Sequence, residues 1–276
     1  MRRENVYRKI LVFSIILWFG ELSYSQEATY KIIENIPYSL INDEYAKERC
    51  KLDLYYPENL KGCPTVVWFH GGGLTGGSKH LPEQLKNKGM IVIAVNYRLL
   101  PKIHISDCLQ DAAAAVAWAF KSVERYGGDR KKIFVSGHSA GGYLSAMLGL
   151  DKKWLDHFYL DADSIAGIIP FSGQAISHFA YRKMMGIDHL QPVIDEYAPL
   201  YHVRKDAPSF VLITGDRELE LFGRYEENAY LWRMMKLVGH MQTYLVEIGG
   251  YDHGSMAEPA FYILHQHVIR ILNNKR

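Results

Sequence analysis

Short, almost wholly apolar runs alternate with helix-length segments through most of this 276-residue chain. A strand that is apolar along its whole length is buried on both faces, which is typical of a parallel sheet covered by helices. Residues 106–126 and 224–238 are two of the helix-length segments. The apolar runs predict strands at residues 65–70, 90–97, 133–136, 165–171, 210–214 and 244–248. We therefore expect an α/β fold with a mostly parallel central sheet and helices on both of its faces.

The chain before the first apolar run has a different pattern. Residues 30–38 and 48–56 alternate polar and apolar side chains, which predicts an antiparallel hairpin at the edge of the sheet. No stretch rich in Pro, Gly and Ser separates two parts of the chain. Residues 26–276 are therefore expected to form one catalytic domain.

Residues 1–25 have the layout of a secretory signal peptide. Four basic side chains precede the apolar stretch 10–19, and Ser23-Tyr24-Ser25 is a small-x-small cleavage site before Gln26. The apolar stretch is shorter than the ~20 residues that span a bilayer. No cysteine follows the cleavage site, so we expect no stable membrane anchor. The sequence thus predicts a protein that is secreted or periplasmic after cleavage.

The net charge gives no sign of a nucleic-acid partner. The formal charge is +2, and the predicted leader contains four basic and two acidic side chains, so the charge falls to zero without it. Oligomeric state is left open.

A tight turn after the strand at residues 133–136 contains Gly137-His138-Ser139-Ala140-Gly141, and a helix rich in small residues follows at once. Gly-x-Ser-x-Gly between a strand and a helix is typical of a nucleophile elbow. A Cβ at Gly137 or Gly141 would collide with a neighbouring element, so only glycine fits there. This context predicts Ser139 as the nucleophile.

A second glycine-rich segment, His70-Gly71-Gly72-Gly73, ends the strand at residues 65–70. A phosphate-binding loop would need Lys-Ser/Thr and a helix after its glycines, and neither follows here. The N–H groups of Gly72 and Gly73, together with that of Ala140, are predicted to form an oxyanion hole. His70 is interpreted as a brace for the loop.

A serine nucleophile needs a general base. His253 follows the strand-like residues 242–248 and the turn 249–252, which places an imidazole at the carboxyl edge of the sheet. His265 and His267 are two residues apart on a helix, so they face different directions and make a poor metal pair. We predict His253 as the base and expect no metal.

These segments resemble the α/β-hydrolase superfamily, in the branch with a His-Gly-Gly-Gly oxyanion loop. The resemblance begins at about residue 45 and extends to hormone-sensitive-lipase-like esterases and to bacterial feruloyl and acetyl-xylan esterases. It rests on these segments and on Asn96-Tyr97-Arg98-Leu99, Tyr126-Gly127-Gly128-Asp129 and Tyr251-Asp252-His253-Gly254. It implies a small lid, which we expect at about residues 174–199.

The acid of the triad should follow the strand at residues 209–214, where the chain reads Gly215-Asp216-Arg217-Glu218. The resemblance places the acid three residues beyond the glycine and so favours Glu218. Aspartate is the commoner acid, which favours Asp216, and Arg217 could neutralise the carboxylate that is not used. If neither orients the base, the next candidates are Asp252 and Glu220.

The resemblance implies two-step acyl transfer without a metal or organic cofactor. The predicted substrate is a small-molecule or oligosaccharide ester, with acetyl or feruloyl groups of plant polysaccharides as the expected acyl groups. An arylformamidase-like or peptidase amide hydrolase is one alternative, and a catalytically inactive binding protein on the same scaffold is another. The lid's aromatic and methionine side chains could line a pocket or pack against the body. Cys50 and Cys63 could form a disulfide or remain free thiols.

Overall fold

The computed structural model describes residues 28–274 of the chain. The leader predicted at residues 1–25 lies outside the described residues. Among residues 28–274, none of the helices combines the length and the apolar character needed to cross a membrane.

Eight strands form one sheet, and six of them coincide with the apolar runs of the sequence. In chain order they are β1 (Tyr30–Pro37), β2 (Lys51–Pro57), β3 (Cys63–Phe69), β4 (Ile91–Val95), β5 (Gly128–His138), β6 (Gly167–Phe171), β7 (Ser209–Gly215) and β8 (Thr243–Ile248). Their order across the sheet is β1-β2-β4-β3-β5-β6-β7-β8.

The sheet is parallel from β4 to β8 and antiparallel at one edge. β2 pairs antiparallel with both β1 and β4, whereas β3 pairs parallel with β4 and β5. β6, β7 and β8 continue the parallel arrangement. Both the mostly parallel sheet and the antiparallel edge are therefore confirmed. Because the carboxyl ends of parallel strands meet at one edge, the loops after β3, β5, β6, β7 and β8 lie close together.

Helices cover the sheet on both faces. They are α1 (Glu44–Arg49), α2 (Ile105–Ser122), α3 (Ala140–Leu150), α4 (Lys153–Asp156), α5 (Phe179–Met184), α6 (Arg224–Leu237) and α7 (Ala257–Asn274). One apolar core contains buried side chains of α2 and α3 together with those that β2, β3 and β5 direct to the same face. A second core contains Phe261 and Leu264 of α7, which pack on the opposite face around Trp68 and Phe171.

The three cysteines belong to this buried interior. Cys50, Cys63 and Cys108 are all free thiols. Burial raises the pKa of the Cys50 thiol to about 12, and a thiol that keeps its proton is a poor nucleophile. The cysteines therefore act as small apolar side chains.

Candidate active site

Ser139 lies in the turn between β5 and α3, with its backbone at φ 55° and ψ −112°. This positive φ is unfavourable for a residue with a Cβ. Gly137 and Gly141 permit the turn because backbone atoms of neighbouring elements leave no space for a Cβ at either position. A Cβ at Gly137 would lie 2.5 Å from the Gly141 carbonyl carbon, and one at Gly141 would lie 2.0 Å from the Phe69 oxygen. The turn therefore holds the Ser139 side chain at the carboxyl edge of the sheet.

The glycine loop after β3 lies beside this serine. A Cβ on Gly71 would be 3.5 Å from the Ser139 Cβ. Gly72 and Gly73 adopt φ values of 111° and 63°, which favour glycine. Within the described part of the chain, neither of their N–H groups donates to an acceptor. Ala140 begins α3, where N–H groups have no partner inside the helix.

His70 supports this loop from below. His70 is only 2% exposed to solvent. Its ring stacks on that of Tyr97, with the two centroids 4.5 Å apart. The Tyr97 hydroxyl donates to the His70 carbonyl oxygen over 2.8 Å. Burial lowers the pKa of His70 to about 4, so the ring is neutral near pH 7. These contacts fix the start of the glycine loop against Tyr97, which is a structural role for His70.

His253, in the loop after β8, is paired with Glu220. The distance from His253 Nδ1 to Glu220 Oε2 is 2.8 Å, and the Glu220 side chain is only 1% exposed. We assign the proton to Nδ1 because its partner is a carboxylate, which leaves Nε2 able to accept a proton. The Ser139 hydroxyl forms no hydrogen bond with a described residue. Catalytic hydrogen bonds are often long before substrate binds.

Ser172 connects the two members of this pair. Its backbone has a φ of 45°, and its side chain is fully buried at the end of β6. The hydroxyl donates to Glu220 Oε1 over 2.6 Å, and its oxygen lies 2.9 Å from His253 Nδ1. Ser172 thus holds both the carboxylate and the imidazole in place.

The ionisation of Glu220 is set by these contacts. Burial alone would raise its pKa, but hydrogen bonds from His253, from Ser172 and from the Gly215 N–H outweigh burial and hold the pKa at about 2. The Gly215 N–H donates to Oε1 over 2.9 Å. The carboxylate is therefore charged at neutral pH.

The expectation that Glu218 or Asp216 orients His253 disagrees with this geometry, because neither carboxylate contacts the imidazole. The loop after β7 closes a tight turn in which the N–H groups of Leu219 and Glu220 donate to the Asp216 carbonyl over 3.0 and 2.9 Å. This turn brings the side chain of Glu220 back to the end of β7 and leaves Glu218 exposed. The acid position is thus five residues beyond Gly215, not three.

The other charged residues of the loop have structural contacts. Asp216 accepts the Gly250 N–H over 2.7 Å, which ties the acid loop to the loop that carries His253. Arg217 forms no ion pair with Asp216 or Glu218. It forms a bidentate pair with Glu247, with distances of 2.9 Å from Nε and 2.5 Å from Nη2.

His138 makes a second connection between the nucleophile turn and the base. Its Nε2–H donates to the His253 carbonyl oxygen over 2.7 Å, and the two rings are 4.8 Å apart. Burial, and to a smaller extent the nearby His253, lower the pKa of His138 to about 4. A neutral His138 can therefore support the base without repelling its protonated form.

Ser172 and His138 are the site residues that the sequence did not predict. Ser172 could have been found from its position, since it directly follows β6 between the strands that carry Ser139 and the acid loop. His138 lies within the Gly-x-Ser-x-Gly segment, but nothing in the sequence shows where its ring points. Within residues 28–274, no group of three or more His, Cys, Asp or Glu side chains is arranged to hold a metal ion.

The side chains of the predicted lid, residues 174–199, divide between both expected roles. Phe179 and His189 line a cavity. Tyr181 and Tyr197 pack on each other, with centroids 4.9 Å apart, and against His104 on the body of the protein. The two methionines, Met184 and Met185, are exposed.

Comparison with known proteins places this site in an esterase lineage. The chain is 26% identical over 228 residues to esterase LipC of Mycobacterium tuberculosis, covering 74% of this chain and 56% of that protein. It is 34% identical over 179 residues to a probable isoprenylcysteine alpha-carbonyl methylesterase of Oryza sativa, covering 58% of this chain and 42% of that protein. The chain thus spans about half the length of these curated relatives.

Solved structures share the fold. A truncated form of a carbohydrate esterase from gut microbiota superposes with a TM-score of 0.72 at 17% identity, covering 90% of this chain and 98% of that one. The apo form of Thermogutta terrifontis esterase 2 superposes with a TM-score of 0.67 at 22% identity, covering 89% and 95%. Both likenesses show that the fold is that of an α/β-hydrolase.

The BD-FAE family model matches residues 52–220. The match includes the glycine loop, the nucleophile turn and Glu220, and it ends before His253. Because it covers more than half of the described residues, the chain belongs to the BD-FAE family, a hormone-sensitive-lipase-like family of α/β-hydrolase esterases.

Proposed function

We propose that the protein hydrolyses carboxylic esters through an acyl-enzyme on Ser139. The observation that carries the proposal is the pair of His253 and the buried Glu220, 2.8 Å apart, at the same sheet edge as the strained Ser139 turn. A charged, buried carboxylate fixes the imidazole in the tautomer that accepts a proton at Nε2. The esterase names of the relatives support the same reaction.

In the first step, His253 Nε2 takes the hydroxyl proton as Ser139 Oγ attacks the ester carbonyl carbon. The N–H groups of Gly72, Gly73 and Ala140 stabilise the negative oxygen of the tetrahedral intermediate. The C–O bond of the ester then breaks, and the alcohol leaves with the proton from His253. Water repeats the sequence on the acyl-enzyme, which releases the acid and restores the serine.

The test is turnover of 4-nitrophenyl acetate by the purified protein and by Ser139→Ala. We expect kcat to fall by orders of magnitude, since losing the nucleophile of such a triad costs on the order of 10⁶-fold. Ser145→Ala is the matched control, because Ser145 lies on α3 but donates only to the Gly141 carbonyl. Its turnover should remain within about twofold of the wild type.

A fluorophosphonate probe gives a second readout that does not depend on the choice of substrate. It should label one peptide, the one that contains Ser139. Turnover by Ser139→Ala within tenfold of the wild type, or labelling at another serine, would refute the nucleophile assignment. An intact protein that neither turns over esters nor reacts with the probe would favour the inactive binding scaffold.

We further propose that the protein is exported and acts on acyl groups of plant polysaccharides. The leader-like composition of residues 1–25 supports export. The carbohydrate esterase among the structural neighbours supports the substrate class.

Two measurements test these points. Release of acetate and ferulate from acylated xylo-oligosaccharides should exceed release of formate from N-formylkynurenine. The exported protein should begin near Gln26. Faster amide cleavage, or an N-terminus at Met1, would overturn these two points.

A further inference from the structure

A cavity of about 820 Å³ lies between the lid and the beginning of α6. Its wall combines apolar and charged side chains. They include Phe179, Arg182, Phe222, Arg224 and Glu227.

Residues of the cavity wall contact the glycine loop and Ser172. The ring of Phe179 is so close to the glycine loop that a Cβ on Gly73 would lie 2.9 Å from its Cζ. Phe222 lies two residues beyond Glu220 in the acid loop. Arg224 donates from Nη1 to the carbonyl oxygen of Ser172. A substrate whose ester group reached Ser139 could therefore place another group in this cavity.

Two arginines of the wall are buried without a carboxylate of the described residues hydrogen-bonded to the guanidinium. Arg182 is 3% exposed and Arg224 is 4% exposed. Each makes a single hydrogen bond, in which Arg182 Nη1 donates to the Gln191 carbonyl and Arg224 Nη1 to that of Ser172. The Nε atoms of both are buried and unpartnered. Among residues 28–274, neither guanidinium forms an ion pair with a carboxylate.

Burying two guanidinium groups in this way raises the free energy of the folded protein when no anion is bound. A buried charge loses hydration, and here the nearby Glu227 compensates only in part, since burial is the larger effect on both arginines. Burial lowers the pKa of both arginines, and the nearby Arg182 also lowers that of Arg224, whereas Glu227 acts in the opposite direction on both. An anion bound beside the two guanidinium groups would compensate for their lost hydration and would raise the pKa of both arginines toward its ordinary value.

The acidic groups of the same wall are already engaged. Glu227 accepts the N–H groups of Ala175 and Ile176 over 2.9 and 3.4 Å. Asp188, at the exposed rim, accepts the Leu190 N–H over 2.7 Å. With Arg182, Lys183 and Arg224 against these two carboxylates, the wall has a formal excess of one positive charge. The N-terminus of α6, where Arg224 is the first residue, adds a partial positive charge.

We propose that Arg182 and Arg224 form a subsite for a carboxylate group carried by the ester substrate. The inference rests on the proposed ester hydrolysis and adds a substrate class to it. A guanidinium presents parallel N–H donors that match the two oxygens of a carboxylate. The carboxylate can belong to the acyl part, as in a monoester of a dicarboxylic acid. It can also belong to the alcohol part, as in an acylated uronic or hydroxy acid.

Two pairs of esters distinguish these sources. The acyl pair is the 4-nitrophenyl monoester of glutaric acid and 4-nitrophenyl pentanoate, and the alcohol pair is 4-acetoxybenzoate and its methyl ester. The measured quantity is kcat/KM for the charged ester divided by kcat/KM for its neutral partner. We expect Arg182→Met to lower this ratio about 10- to 100-fold in one of the two pairs, since hydrogen bonds between charged groups have that strength. The pair that responds identifies the part of the substrate that carries the carboxylate.

Matched variants separate this effect from unfolding and from general loss of charge. Arg224→Met should lower the same ratio, and Arg182→Lys should restore part of it. Lys183→Met removes one positive charge from an exposed neighbour and should change the ratio less than about twofold. Glutarate or benzoate should raise the melting temperature of the wild type and not that of Arg182→Met.

The outcomes also separate this inference from the proposed function. Wild-type turnover of the neutral esters together with a ratio that no arginine variant changes would overturn the subsite and leave ester hydrolysis intact. No turnover of any ester, with stabilisation by glutarate or benzoate that depends on Arg182, would overturn ester hydrolysis and leave the anion site intact.

Discussion

The carboxylate of Glu220 is nearly inaccessible to water, yet it remains charged because hydrogen-bond donors surround it. His253, Ser172 and the Gly215 N–H supply these donors, and they hold its pKa at about 2. Protonation of Glu220 therefore does not limit activity at pH 4 or above. Any loss of turnover on the acidic side of a pH–rate profile in that range must come from another group, and His253 is the base whose protonation would stop the reaction.

At the residue scale we predict that Glu220→Gln lowers kcat strongly, because an amide can stabilise the wrong tautomer of His253. In serine proteases the equivalent change costs ~10⁴-fold in kcat. Glu218→Gln, two residues away on the exposed side of the loop, is the matched control and should change kcat by less than about twofold. Steady-state kinetics with 4-nitrophenyl acetate measure both. A larger loss for Glu218→Gln than for Glu220→Gln would return the acid to Glu218.

At the scale of elements, the close contact between α3 and β3 fixes the position of the nucleophile. A Cβ at Gly141 would lie 2.0 Å from a backbone oxygen of β3, which cannot move without disturbing the sheet. Gly149, on the same helix, is different. Its Cβ would meet the buried Ile168 side chain at 2.6 Å, and a side chain can shift with less disturbance than the backbone of a central strand.

We therefore predict that Gly141→Ala destabilises the fold by more than about 4 kcal/mol, whereas Gly149→Ala costs at most about 1–3 kcal/mol. Both changes gain about 1 kcal/mol of helix propensity, which cancels in the comparison. Urea unfolding of the two variants measures the difference. Equal stabilities would show that the turn can relax around an added methyl group.

Strands with a continuous apolar pattern or a regular alternation were predictable, and segments without either pattern were not. The run at residues 133–136 indicated only the buried part of β5, which begins at Gly128 with polar residues. The nucleophile directly follows a strand, and the base follows one after the short turn 249–252, so the strand pattern places both. Glu220 follows a turn whose hydrogen bonds are not apparent from residue types, so a register taken from related folds selected Glu218.

At the scale of the whole molecule, stability should depend on the buried histidines. Burial lowers the pKa of His70 and His138 to about 4, and lowers that of His178 well below its ordinary value. Below pH 6.5 the unfolded chain binds protons that the folded protein excludes. Stability is then complete above about pH 6.5 and decreases as the pH falls toward about 4.

We predict that the free energy of unfolding falls between pH 7 and pH 4, with a slope of up to ~1.4 kcal/mol per pH unit for each such histidine. Glu220 adds to this loss only below its unfolded pKa of about 4.3. Chemical unfolding at several pH values measures the slope, which His70→Gln should reduce. His189→Gln alters an exposed histidine and should leave the slope unchanged. A stability that is constant over this range would contradict the prediction.

The order of the strands has a consequence for how the protein becomes active during translation. β8 joins the sheet at its edge, through β7 alone, and the base follows it. A nascent chain that ends after β7 and its acid loop contains the nucleophile, the glycine loop and the carboxylate, but it has no imidazole to remove the serine proton. The reactive serine therefore becomes competent only when the last strand has been synthesised and added to the edge.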